Sequence, residues 1–237
     1  MPRRARLTLP NVPLHIIQRG NNRQACFFAD EDYQTYLDWL REYADQTACQ
    51  IHAYVLMTNH VHLLLSAKNA QGPGQLMKRL GQRYVQYINR VYERSGTLWE
   101  GRYRSALTEE ESYVLACYRY IELNPVRAQM VDHPGGYRWS SYSVNGQGES
   151  SRLITPHPVY ERLGQNEADR QMAYRELFRH SLDPGMVDEI RRGTNGNFAV
   201  GSGHFAAQVE AALGRRASPG QPGRPRKRRH DRERGEE

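Results

Sequence analysis

The sequence predicts an α+β protein. A small antiparallel sheet has helices packed on one face, a helical C-terminal extension follows (146–213), and a disordered basic tail closes the chain (214–237). Two observations predict the sheet. Segments of strand and helix periodicity follow one another as strand, helix, strand, strand, helix, strand, helix between residues 14 and 124, an order that pairs strands antiparallel and leaves helices to cover them. Two apolar strands, 51–56 and 60–66, are parted only by Met57, Thr58 and Asn59, which makes them a hairpin. The extension and tail follow from composition. The run Asn145-Gly146-Gln147-Gly148-Glu149-Ser150-Ser151 reads as a linker, so the main domain is placed at 1–145, and from Ser218 onward Pro, Gly and charge dominate.

Residues 14–19 form a strand ended by the turn cluster Gly20-Asn21-Asn22. Asp30 caps a helix whose apolar positions, Tyr33, Leu37, Leu40 and Ala44, keep helical spacing. After the hairpin, Gly72-Pro73-Gly74 opens a long helix marked by Leu76, Leu80, Tyr84, Tyr87, Ile88 and Val91. Residues 102–107 are the fourth strand. Thr108-Glu109-Glu110-Glu111 then matches a capping box. Val114, Cys117, Tyr118 and Ile121 form one stripe of the next helix, which Asn124-Pro125 ends because proline pushes the preceding residue out of the α region. Helical segments at 167–180, 184–192 and 205–213 make up the extension.

Composition sets the outer bounds. With 38% hydrophobic and 25% charged residues among 237, most of the chain can bury a core. No run of about 18 or more apolar residues occurs and no apolar signal core follows the N-terminus, so a cytoplasmic protein with no membrane partner is expected. Cys26, Cys49 and Cys117 form no CxxC pair, which argues against a disulfide framework and a thiolate zinc cluster. Of the +7 net charge, +5 lies in residues 214–237, where nine Arg or Lys face four Asp or Glu. Such a tail favours polyanions without sequence preference, or merely solubilises.

The chemistry concentrates in two places. His60 and His62 lie two apart in a strand, so both imidazoles project from one face. Buried together they need hydrogen bonds or a metal, and the doublet alone fits either. Tyr120 and Asn124, four apart on a helix, share a face. Asn124 reads as a third metal ligand through its amide oxygen or as a helix cap beside Pro125. A rival pair, Tyr118 and Glu122, lies on the same helix. Tyr118 falls on the apolar stripe with Val114 and Ile121, whereas Tyr120 falls off it with Tyr113, so periodicity favours Tyr120. A metal held by His60, His62 and Asn124 would keep positions open for a phosphate, and a tyrosine beside it could attack the phosphorus, leaving a 5′-phosphotyrosine and a free 3′-OH. Imidazole suits manganese or zinc better than magnesium, although availability can override preference.

Basic residues supply candidate nucleic-acid contacts. Arg79, Arg83, Arg90 and Arg94 are spaced on one stripe of the long helix, which is a phosphate-binding or a plainly solvated face. Arg19 beside Asn21 and Asn22, and Arg102 and Arg104 around Tyr103, are further candidates. In the tail, Pro222-Gly223-Arg224-Pro225-Arg226-Lys227 resembles an AT-hook core, whose arginines enter the minor groove of duplex DNA. A generic phosphate-binding arm fits as well.

Four segments together carry a family resemblance: Arg19-Gly20-Asn21-Asn22-Arg23-Gln24, Met57-Thr58-Asn59-His60-Val61-His62-Leu63-Leu64, Leu98-Trp99-Glu100-Gly101-Arg102-Tyr103 and Tyr120-Ile121-Glu122-Leu123-Asn124-Pro125-Val126-Arg127-Ala128. In this order they resemble the HUH single-tyrosine transposases, and within them the REP-associated tyrosine transposases, over roughly residues 7–145. The resemblance implies a ferredoxin-like HUH nuclease fold, Tyr120 as nucleophile, and His60, His62 and Asn124 as ligands of Mg2+ or Mn2+. Asn124 stands where insertion-sequence relatives have Gln. The implied substrate is single-stranded DNA beside REP-like hairpins, cut and joined by a monomer or a homodimer. The alternative is a hairpin-binding module that keeps the fold without the reaction.

Overall fold

The computed structural model describes residues 5–220, apart from the side chains of 110–112. Arg224, Arg226, Lys227 and the rest of the expected tail beyond 220 lie outside the described residues. Four strands, β1 (Leu14–Arg19), β2 (Cys49–Met57), β3 (His60–Ala67) and β4 (Arg104–Leu107), form one antiparallel sheet in the order β2-β3-β1-β4. The α+β class and the 57–59 hairpin are as the sequence predicts. β1 is inserted between β3 and β4, which places Arg19 opposite His60 and Ile17 opposite both His62 and Arg104.

α1 (Asp30–Gln46) and α2 (Gly72–Val91) cover one face, where Tyr36, Leu40, Leu76, Leu80 and Tyr84 pack on Leu14, Ile16, Val61, Leu63 and Leu65. Asp30, Glu31 and Asp32 occupy the first turn of α1, where the helix dipole favours carboxylates. Asp32, not Asp30, satisfies that end, accepting the N–H groups of Phe28 (2.8 Å) and Ala29 (3.0 Å). It is fully buried and also accepts the Tyr87 and Tyr92 hydroxyls, so its desolvation is offset by four donors. Pro73 sits in the first turn of α2, where its missing N–H costs nothing.

Helices do not stop at that face. α3 (Glu110–Glu122) crosses β2 and β3 on the opposite side, and the extension completes the layer. After the short turns α4 (Asn124–Arg127), α5 (Tyr142–Asn145) and α6 (Pro158–Glu161) come α7 (Glu167–Glu176), α8 (Pro184–Gly196) and α9 (Gly203–Leu213). α8 lies over β4 and β1. Tyr118, Tyr160 and Tyr174 form an aromatic knot between α3, α6 and α7, beside Ile190 and Val200.

Three local expectations are corrected. Thr108 is not the N-cap of α3. Thr108 is held by strand-like pairing, donating its N–H to the Pro13 carbonyl (2.8 Å) and bridging Val200, and Glu109 takes the N-cap position. The Asn145–Ser151 run does not act as a spacer at its start, because Asn145 is buried and donates to Glu122 (2.8 Å). The ordered body also runs past residue 213. Ala217 is fully buried, its carbonyl accepting the Ala199 N–H (2.7 Å) and its N–H donating to Glu210 (2.8 Å).

Candidate active site

The site lies in the seam between α3 and α8, on the sheet face opposite α1 and α2. Strand alternation sends His15 and Ile17 of β1 and His60, His62 and Leu64 of β3 to this face. From above, α3 brings Tyr120, whose ring meets His62 edge-on at a centroid distance of 5.7 Å and His15 at the same distance. His60 and His62 stand 5.1 Å apart, ring planes at 80°. Tyr120 is 6% exposed, and Tyr118, two residues earlier, points away into the aromatic knot and accepts the His157 N–H (3.3 Å). Glu122 follows Tyr118 into that interior, where Ser141, Asn145 and Tyr174 all donate to its carboxylate.

Asn124 meets both the helix end and His60. Its Nδ2 donates to the Tyr120 carbonyl (3.2 Å), capping the end of α3, and its side chain also hydrogen-bonds His60. Arg127 fixes the tyrosine from the other side, donating to the same carbonyl (2.8 Å) with its guanidinium 4.2 Å from the ring centroid.

The protonation state of His60 is dictated by its neighbours. Asn59 donates Nδ2 to the Arg23 carbonyl (3.0 Å), so its Oδ1, 2.6 Å from His60 Nδ1, must accept. The proton facing Asn59 therefore sits on Nδ1, and Nε2 is the nitrogen left to meet Asn124. The loop that holds Arg23 in place needs glycine at position 20, since a Cβ there would lie 2.2 Å from the Gln24 carbonyl oxygen and 3.2 Å from that of Asn59. Asn21 and Asn22 form the turn between them; the Asn21 N–H donates to the Leu98 carbonyl (2.8 Å), and Asn22 is in the left-handed region (φ 51°). Burial lowers the His60 pKa to about 4, with the Arg19 charge adding to it, lowers His15 to about 3 and holds His62 well below its usual value. All three imidazoles are neutral at neutral pH, as ligation requires.

A cleft of about 380 Å3 opens beside the site and is lined by Arg6, Arg19, Arg102, Tyr103 and Arg104. Three of the predicted contact residues thus converge there. Arg79, Arg83 and Arg90 do not; α2 carries them on the far side of the sheet, where Arg83 pairs with Glu42 (2.8 Å) over the Trp39 ring and Arg79 bonds Gln46 (3.0 Å). Their regular spacing reflects an amphipathic helix with a solvated, partly ion-paired face. Arg6, His15, Asn59 and Arg127 join the site only in the folded structure. The signal for His15 was present: it alternates with Leu14 and Ile16 as His62 does with Val61 and Leu63.

Among the described residues no group of three His, Cys, Asp or Glu is placed to hold a metal. A divalent ion here would rest on two imidazoles and an amide oxygen. The donor types fit such an ion: the imidazoles are neutral, His60 Nε2 is not the nitrogen that Asn59 engages, and the Asn124 side chain adjoins His60. No helix among the described residues is long and apolar enough to cross a membrane.

Residues 8–124 match the family of IS200-like transposases. Among solved structures, a REP-associated tyrosine transposase bound to a REP hairpin is similar over 66% of this chain and 93% of that one, with a TM-score of 0.51 and 13% identity. A chain described as a transposase from Deinococcus radiodurans R1 is 24% identical over 51% of this chain and 96% of that one, with a TM-score of 0.37. The fold likeness rests on the former. No curated protein matches the chain in sequence.

Proposed function

We propose that this protein, whose residues 8–124 match the IS200-like transposases, is a single-stranded DNA endonuclease and strand transferase that acts at hairpins through Tyr120. The observation that carries the reading is the meeting of Tyr120 and Asn124, from the end of α3, with His60 and His62 of β3 in one buried seam.

The Tyr120 hydroxyl oxygen attacks the scissile phosphorus. The bond to the 3′ oxygen breaks, that oxygen leaves with a proton as a 3′-OH, and the tyrosine proton passes to solvent. The 5′ phosphate stays on Tyr120, so attack by another 3′-OH reverses the step and joins strands without a nucleotide cofactor. Arg127 and Asn124 hold the Tyr120 backbone and ring in place during both steps. His60, His62 and Asn124 would hold Mg2+ or Mn2+, which supplies positive charge to the phosphoryl oxygens. Arg6, Arg19, Arg102 and Arg104 receive the backbone phosphates in the adjacent cleft. A REP-like hairpin is the favoured substrate because the fold relative is bound to one. The basic tail with Arg224, Arg226 and Lys227 adds duplex affinity by charge.

The test is a denaturing gel of the full chain with labelled single-stranded hairpin DNA, in Mn2+, in Mg2+ or in chelator. A covalent band that needs the metal and maps by peptide mass to Tyr120 is expected. Hairpin binding with no adduct in either metal would replace this reading with that of a binding module.

A further inference from the structure

His60 is oriented by the residue beside it, whereas His62 has no such neighbour and is oriented from a distance. Its Nδ1 lies 2.8 Å from His15 Nε2, and His15 Nδ1 lies 2.9 Å from the Thr194 hydroxyl on α8. The two rings are near-coplanar (18°) with centroids 5.1 Å apart, the arrangement of imidazoles joined nitrogen to nitrogen along one line. We infer that Thr194 and His15 are positioning residues, a relay that keeps the His62 proton on Nδ1 and its Nε2 lone pair turned toward the ligand position; the inference rests on the reading of His62 as a metal ligand.

The direction of the relay follows from counting protons. The Thr194 oxygen lies 2.8 Å from the Ile190 carbonyl, which can only accept, so the single hydroxyl proton is committed there. Toward His15 the Thr194 oxygen is then an acceptor, and His15 carries its proton on Nδ1. His15 is 1% exposed and its two hydrogen-bond partners, the Thr194 hydroxyl and the His62 ring, carry no negative charge, so it holds a single proton. Its Nε2 therefore accepts, and the proton between the rings belongs to His62 Nδ1. Thr194, His15 and His62 are 3%, 1% and 2% exposed, so water does not compete for these bonds. Run the other way, the relay would take the hydroxyl proton off the Ile190 carbonyl and put a proton on His62 Nε2, where it blocks ligation.

The consequence concerns the extension. Thr194 lies well beyond residue 124, where the family match ends. α8 thus covers β1 and β4 and also supplies the group that sets a ligand in the seam. Outer partners of ligating histidines fix tautomer and ring orientation, and losing one typically weakens metal binding about 10- to 100-fold.

The experiment uses the full chain with 15N-labelled histidine. Imidazole nitrogen shifts are read in metal-free protein, and the affinity for Mn2+ alone is measured by calorimetry. In the wild type His62 should be the Nδ1–H form. Thr194→Val, which keeps the shape and removes the acceptor, should mix the His62 tautomers and weaken Mn2+ binding by about tenfold or more, and Thr194→Ser should restore both. A wild-type His62 protonated on Nε2 overturns the relay whether or not Thr194→Val folds, and so does a folded Thr194→Val with unchanged tautomer and affinity. A wild type that shows the expected tautomer but binds no Mn2+ overturns the ligand reading of His62 and the purpose of the relay with it.

Discussion

On β3, Val61, Leu63 and Leu65 turn toward α1 and α2, while His60, His62 and Leu64 turn toward α3 and α8. The two sets alternate along a single strand, yet they build different interiors. The α1–α2 side is hydrocarbon and aromatic rings, with Asp32 as a polar post satisfied by four donors. The α3–α8 side buries His15, His62, Glu122 and Asn145, each hydrogen-bonded to a partner on another element. The first side can be closed by two amphipathic helices, because hydrophobic burial is non-directional. The second needs each donor matched to an acceptor; the extension provides Thr194 and Tyr174 for that purpose, and Ser141 comes from the segment before it.

Substitutions on β3 should separate the faces most sharply. Leu63→Ala is expected to destabilise the fold by about 2–5 kcal/mol in denaturant unfolding, with Mn2+ affinity per folded molecule unchanged. His60→Ala should do the reverse, losing Mn2+ affinity by at least about tenfold at a stability cost below about 1.5 kcal/mol. If Leu63→Ala weakened Mn2+ binding as much as His60→Ala does, the faces would not be independent.

Acid unfolding sharpens the same comparison. Burial lowers His52 and His157 to about 4, so they stabilise the folded state as neutral groups above the unfolded value near 6.5, and that contribution is lost as pH falls through about 4. Glu122 has the opposite sign. Burial raises it from 4.5 to about 7, so its contribution is full below pH 4.5 and is lost as pH rises through about 7. Wild-type stability should therefore fall from pH 6.5 downward, softened by Glu122. Glu122→Gln, which still accepts from Ser141 and Asn145, should steepen that fall by about 1.4 kcal/mol per pH unit between roughly pH 5 and 7. An unchanged slope would mean that Glu122 is ionised in the folded protein.

The smallest effects are expected among the arginines. Arg104→Ala should weaken single-strand binding and lower its salt slope by about one ion. Arg83→Ala, on the α2 side, should leave both unchanged and barely move the unfolding midpoint. Equal losses from the two would show that DNA contacts both sides of the molecule.

These comparisons also show where the sequence was legible. Alternation in residues 14–19 and 60–66 and the helical stripes at 33–44 and 76–91 mark elements whose burial is local and periodic. Tyr120 was separable from Tyr118 because two residues on a helix point nearly opposite ways. What was not legible depended on long-range pairing. Thr108 matches a capping box yet belongs to strand pairing with Val200, and the arginine stripe of α2 carries no sign of which sheet face it will cover. His15 and Thr194 are 179 positions apart, and single histidines and threonines announce nothing until the fold brings them to 2.9 Å.

The division of labour between the faces is tested most directly by comparing Tyr120→Phe with Tyr118→Phe in the hairpin adduct assay, with folded fraction measured in parallel. Tyr120→Phe should form no adduct while its unfolding midpoint and hairpin binding stay near wild type. Tyr118→Phe, which loses its bond with the His157 N–H, should be less stable but form adduct in proportion to its folded fraction. An adduct that persists in Tyr120→Phe, or one that vanishes in folded Tyr118→Phe, would contradict that division.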